Sequence, residues 1–249
     1  MRGISRLLLA LLALFAATGV AEAAEVKVAV AANFAEPAQE IAQRFAARTR
    51  HRATLSFGSS GQFAAQILNG APFGVFLSAD RARPEALERA GQAVAGTRFT
   101  YATGRLVLFS RTPRLVDRRG AVLSAGGFQK LAIADPETAP YGTAAVDTLR
   151  KLRLFERLQP KIVKGASIAQ AFQFVDTGAA EVGFVALSQV VARPGGSRWL
   201  VPATLHRPIE QQAVLLKAGA SDPAAQAFMA FLRGREARDV IRRYGYEVR

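Results

Sequence analysis

The chain has no cysteine, and only two histidines, two methionines and one tryptophan, in 249 residues. Without cysteine, disulfides, thiolate catalysis and Cys-containing zinc sites are all excluded. His51 and His206, with no cluster of carboxylates around either in the sequence, are a poor ligand set for a bare metal cation. Long apolar runs are missing after the N-terminus, so no later segment approaches the ~18 residues that a membrane span needs. Acidic residues are scarce as well: 19 stand against 33 Lys and Arg, for a formal charge of +14. Such an excess suits nucleic acid, an anionic surface or an acidic ligand. The cations are scattered, however, with only short pairs such as Arg118-Arg119 and Arg242-Arg243 and no basic stripe interleaved with aromatics. Nucleic acid is therefore not an expected partner, and a general field that attracts small anions is the secondary reading.

What is present begins with Arg2 and Arg6, an apolar run from Leu7 to Val20, and Ala21-Glu22-Ala23 as an A-x-A cleavage pattern. Residues 1–23 are thus expected to be a secretory signal peptide, leaving an exported, soluble chain. That chain is half hydrophobic and long enough to bury a core without disulfides.

Apolar segments then alternate with amphipathic ones. Strands are expected at Val26–Val30, Arg52–Phe57, Gly74–Ser78, Arg105–Ser110, Lys130–Ala134, Lys161–Val163, Glu181–Val185 and Gln211–Leu216. Helices are expected between them, for example from about Glu36 to Arg48 with Ile41 and Phe45 on one face. Phe99 to Thr103 reads as a connector. The alternation predicts an α/β fold of two lobes, each a mainly parallel sheet flanked by helices, with ligand beyond the carboxyl ends of the strands. Lobe 1 is expected over residues 24–103 plus 219–249 and lobe 2 over 104–218, with two hinge crossings.

Four loops lie between a strand and a helix: Ala31-Ala32-Asn33, Gly58-Ser59-Ser60-Gly61, Pro140-Tyr141-Gly142-Thr143 and Gly165-Ala166-Ser167-Ile168. Each offers backbone N–H donors at the positive end of a helix dipole, and none contains a charged residue or histidine. A site built from them is neutral, rich in donors and poor in acceptors, which suits a fully deprotonated oxyanion and disfavours a protonated one. Each loop also has a plainer reading. Ser59 or Ser60 and Asn33 serve equally as helix caps, Tyr141 as a packed aromatic and Ile168 as core, while Asp80 is a cap candidate. A serine nucleophile at Ser59 or Ser60 with His51 or His206 as base is a rival from another class, although the G-x-S-x-G elbow is missing.

The succession VKVAVAANF, FGSSGQFAAQILNGAP with FLSAD, ADPETAPYGTAA, GFVALSQV and a terminal RYGYEV resembles the periplasmic molybdate-binding proteins of ABC transporters over essentially the whole mature chain. The resemblance implies a periplasmic location and the type II periplasmic binding protein fold, closing on molybdate or tungstate and delivering it to a membrane permease. It implies no cofactor and no enzymatic activity, a monomer, and molybdenum held as an oxyanion, never as a bare cation. The ligand-binding positions it implies are Asn33, Ser60, Tyr141 and Ile168, with Ala32 and Ser59 as possible additional backbone donors. Where some family members carry a ligand-binding Tyr, this chain has Ala186. A carrier of sulfate or phosphate on the same scaffold is the alternative.

Overall fold

A computed structural model describes residues 23–248, so the expected signal peptide, apart from Ala23, lies outside the described residues. The first half-lobe is built from β1 (Glu25–Ala31), α1 (Ala35–Thr49), β2 (Arg52–Gly58), α2 (Ser60–Leu68), β3 (Val75–Ser78), α3 (Ala82–Arg89) and β4 (Phe99–Gly104). The second lobe contains β5 (Leu106–Ser110), β6 (Leu131–Ala134), α4 (Pro140–Lys151), β7 (Ile162–Gly165), α5 (Ile168–Asp176), β8 (Val182–Ala186) and β9 (Ser197–Leu200). The chain then returns through β10 (Ile209–Leu215) to α6 (Pro223–Arg233) and α7 (Arg235–Arg243).

The strands form two five-stranded sheets, ordered β2-β1-β3-β10-β4 and β7-β6-β8-β5-β9. In each, only the fourth strand of that order, β10 or β5, runs against the others. The central strands β6 and β8 are buried along their whole length, as expected for strands covered by helices on both faces. This is the mixed, mainly parallel α/β architecture that the alternation predicts.

Packing follows the apolar periodicities. In α1, Ile41 and Phe45 are fully buried, and Phe45 meets Phe228 of α6 edge-on with ring centroids 5.3 Å apart. Each such side chain contributes about 1.5–3 kcal/mol through burial. The second lobe has a core of its own around Leu106, Leu108, Ile133 and Phe184.

Three expectations about organisation change. Phe99–Gly104 is a strand, not a connector, paired on one side with β10. Its Thr100 and Thr103 dilute the apolar signal because an edge strand leaves part of its surface uncovered. The four-residue β9 was not anticipated; it is an edge strand whose Trp199 is buried while Arg198 and Leu200 are exposed. Finally β10, expected at the end of the second lobe, pairs with β3 and β4 in the first sheet. The chain therefore crosses between the sheets at Gly104-Arg105 and again between Val201 and Pro208, earlier than the expected boundary at 218. The C-terminal segment lies beside the first crossing: Thr103 and Glu247 exchange backbone hydrogen bonds of 2.8 and 3.1 Å, and Arg105 pairs with Glu247 at 2.6 Å.

Candidate functional site

All six residues expected at the ligand site, Ala32, Asn33, Ser59, Ser60, Tyr141 and Ile168, line one small space between the two sheets. Ala31, Gly58, Ala79, Ala139 and Pro140 complete its wall. No charged side chain contributes to this lining. The space sits beyond the carboxyl ends of β1, β2 and β3 on one side and of β6 and β7 on the other, where helix N-termini converge.

The two serines divide the work. Ser59 is the N-cap of α2: its Oγ accepts from the N–H of Gln62 at 3.3 Å, and the Gln62 amide oxygen accepts from Ser59 N–H at 3.4 Å. This reciprocal capping box commits the Ser59 N–H and the acceptor side of its hydroxyl to the helix. Ser60 does not cap. Its Oγ accepts from the N–H of Ala79 at 2.9 Å, and the residue is 1% exposed. A hydroxyl that accepts on one side keeps its single proton for another partner. Ser60 is thus oriented as a donor into the lined space.

Tyr141 and Ile168 arrive from the second lobe as backbone. α4 begins at Pro140, so Tyr141 stands in its first turn, and α5 begins at Ile168 behind the cap Ser167. Among the described residues the N–H groups of Ser60, Tyr141 and Ile168 have no protein acceptor, as helix N-termini require unless capped. Gly142 lets α4 press against the end of β6: a Cβ there would lie 2.1 Å from the carbonyl oxygen of Ala134. Ile168 is held from behind by Gln189, whose Nε2 donates to its carbonyl at 3.2 Å.

Asn33 differs from expectation. Its amide is committed away from the space, with Nδ2 donating to Gln211 Oε1 and to the Tyr246 hydroxyl, both at 2.9 Å. Its carbonyl accepts from Ser188 Oγ at 2.7 Å and lies 2.7 Å from the Tyr246 hydroxyl. Both Nδ2 protons of Asn33 are thus spent on protein partners, and the residue lines the space from the middle of a 3-10 turn spanning Ala32–Phe34. Sequence reading missed this network. The signals available were the paired Gln211-Gln212 within an apolar strand and the terminal Tyr246, polar groups that periodicity places inward.

Three phenols gather around the network. Burial pushes Tyr246 up to about 12, opposed in part by hydrogen bonds with Ser188 and Asn33. Burial also raises Tyr101 and Tyr141 well above the usual tyrosine range, with Tyr246 nearby adding to both shifts. The Tyr141 hydroxyl is buried with no hydrogen-bond partner among the described residues and lies beside Gly104 at the first crossing.

The remaining sequence candidates lie elsewhere. His51 Nδ1 accepts from Ala24 N–H at 3.2 Å, and His206 Nδ1 lies 2.8 Å from the carbonyl of Arg207. Neither histidine lines the space with Ser60. Asp80 accepts from Arg83 N–H at 3.2 Å and so caps the start of α3. Ala186 is fully buried at the end of β8, outside the lining, with its N–H bonded to Gln189 Oε1 at 2.9 Å. Among the described residues no group of three or more His, Asp or Glu gathers to hold a metal ion.

Residues 26–247 match the family described as bacterial extracellular solute-binding protein. The chain is 55% identical over 226 residues to the molybdate-binding protein ModA of Rhodobacter capsulatus, covering 91% of this chain and 89% of that one. It is 56% identical over 229 residues to ModA of Azotobacter vinelandii, covering 91% of each. Among solved structures, the Azotobacter vinelandii periplasmic molybdate-binding protein superposes with a TM-score of 0.87 at 44% identity, over 90% of this chain and 99% of that chain.

Proposed function

The chain belongs to the bacterial extracellular solute-binding protein family, and from that premise we propose that it captures molybdate, and with it tungstate, in the periplasm for delivery to an ABC-type permease. The observation that carries this reading is the convergence of N–H and O–H donors from both lobes on a space lined by no charged group. Molybdate and tungstate are fully deprotonated dianions at neutral pH. They need donors on every oxygen and no acceptor, which is what helix N-termini and the Ser60 hydroxyl supply. Monohydrogen phosphate carries a proton that would find no carboxylate here, leaving a ligand O–H unsatisfied. The names of the relatives at 55% and 56% identity favour molybdenum over sulfur within the dianion class.

The mechanism is binding coupled to closure. The first lobe offers Ser60 through its hydroxyl and N–H, together with the backbone of Ala32 and Asn33. The second lobe completes the shell with the N–H groups of Tyr141 and Ile168 when the lobes come together. Ser59 acts by capping the helix that presents Ser60. The protein turns nothing over and works as a monomer without a cofactor. Isothermal titration with molybdate, tungstate, sulfate and phosphate tests the reading: one-to-one binding of the first two, with phosphate far weaker, is expected. Absence of binding by both molybdate and tungstate would overturn it.

A further inference from the structure

Next to the lined space, and outside its lining, the two lobes are joined by a second set of contacts. Arg83 of α3 sends Nη2–H to the carbonyl oxygen of Glu137 in the second lobe at 3.0 Å. Its other guanidinium arm is paired with Asp80, and both side chains are only about one-fifth exposed. Asp80 is itself fixed by the Ser78 hydroxyl at 3.0 Å and by Arg83 N–H at 3.2 Å, so the guanidinium has a defined orientation. Beside it, Gly61 N–H donates to the carbonyl of Thr138 at 2.9 Å. The approach is so close that a Cβ on Gly61 would lie 2.9 Å from both Cα and O of Thr138, and 3.1 Å from Arg83 Nε. The receiving loop is rigid: Ala139 N–H bonds to Asp135 O at 2.8 Å, Asp135 N–H to Gly165 O at 2.8 Å, and the Thr143 hydroxyl to Pro136 O at 2.9 Å.

Both acceptors are main-chain carbonyls, so these bonds depend on the position of the second lobe and not on the ligand's identity. They form only when the lobes are together. We propose that Arg83, positioned by Asp80, and Gly61 form a closure clasp on Glu137 and Thr138 that sets how long the bound oxyanion is retained. The clasp rests on the binding role proposed above. It acts through the lobes without touching the anion, and Arg83 is accordingly a positioning residue.

A clasp that forms after encounter appears in the dissociation rate, whereas a ligand contact also changes discrimination between anions. Stopped-flow kinetics on Arg83→Ala should show dissociation about 3- to 10-fold faster, the range for a partly exposed charge-assisted hydrogen bond, with association within about twofold. The molybdate-to-tungstate affinity ratio should not move. Asp80→Asn should raise the dissociation rate in the same direction, and Arg83→Lys should restore part of the loss. Gly61→Ala should abolish full closure: small-angle scattering at saturating ligand should give a larger radius of gyration than for the unaltered protein. Unchanged dissociation in Arg83→Ala, or normal compaction of Gly61→Ala, overturns the clasp. If none of the four oxyanions binds the unaltered protein, the functional reading falls by itself. The clasp is then judged on ligand-free scattering, where a more open Arg83→Ala supports it and an identical radius overturns it.

Discussion

Replacing Ser60 with alanine separates ligand binding from helix capping, the two roles that adjacent serines share in this loop. The Ser60 hydroxyl already accepts from Ala79 N–H at 2.9 Å and has one proton left for the lined space. A hydrogen bond to a charged group contributes about 1.5–3 kcal/mol, so its loss should weaken oxyanion binding by about 10- to 150-fold. The same substitution strands the buried Ala79 N–H, which costs about 1–3 kcal/mol of folding stability. That cost is common to the free and bound protein and largely cancels in a titration. Ser59→Ala is the control: it removes the cap on Gln62 N–H and should cost about 1 kcal/mol of stability with affinity within about twofold. Isothermal titration gives the affinities and denaturant unfolding the stabilities. Equal loss of affinity in both variants, or an unchanged affinity in Ser60→Ala, would refute the division of roles.

Tyr141→Phe removes a buried hydroxyl that has no partner among the described residues, so melting temperature should hold or rise while affinity stays within about twofold. A tenfold loss of affinity would mean that the phenol, and not the main chain, meets the anion. The buried phenols also predict alkaline sensitivity. Tyr246 is raised from 10.0 to about 12, so its contribution is complete below pH 10 and falls as pH rises from 10 to 12, by about 1.4 kcal/mol per pH unit. Tyr101 and Tyr141 are raised in the same direction and steepen the decline. Unfolding measured across this window should show the loss, and Tyr246→Phe should flatten it. Ionisation of all four tyrosines near pH 10 in the folded protein, followed at 295 nm, would contradict the burial argument.

Much of the architecture was legible because the central strands are nearly continuous apolar runs and the helices repeat their apolar residues every three or four positions. Of the four edge strands, β2 and β7 were legible, whereas β4 was hidden by the threonines that break its apolar run and β9 by its length of four residues. The sheet to which β10 belongs was also hidden. Its own residues are equally apolar in either sheet, and only its pairing with β3 and β4 assigns it to the first.

At the site, the loops could be found from their position between strand and helix and from their lack of charge. Which atoms they present could not. Asn33 turns its amide toward Gln211 and Tyr246, partners 178 and 213 residues away, and Ser60 leaves capping to Ser59 because Ala79, 19 residues on, supplies its hydrogen bond. Arg83 and Glu137 likewise meet across 54 residues. Local patterning fixes where donors are available, and the long-range partners decide which remain free.

The central claim is that neutral donors from two lobes enclose one fully deprotonated oxyanion. Diffraction from crystals grown with molybdate, collected at the molybdenum absorption edge, tests it most directly. A single anomalous peak in the lined space, with the anion's oxygens within hydrogen-bonding reach of the Ser60 hydroxyl and the N–H groups of Tyr141 and Ile168, is the predicted result. No peak in that space, or a peak coordinated by Arg or Lys side chains elsewhere, would contradict it.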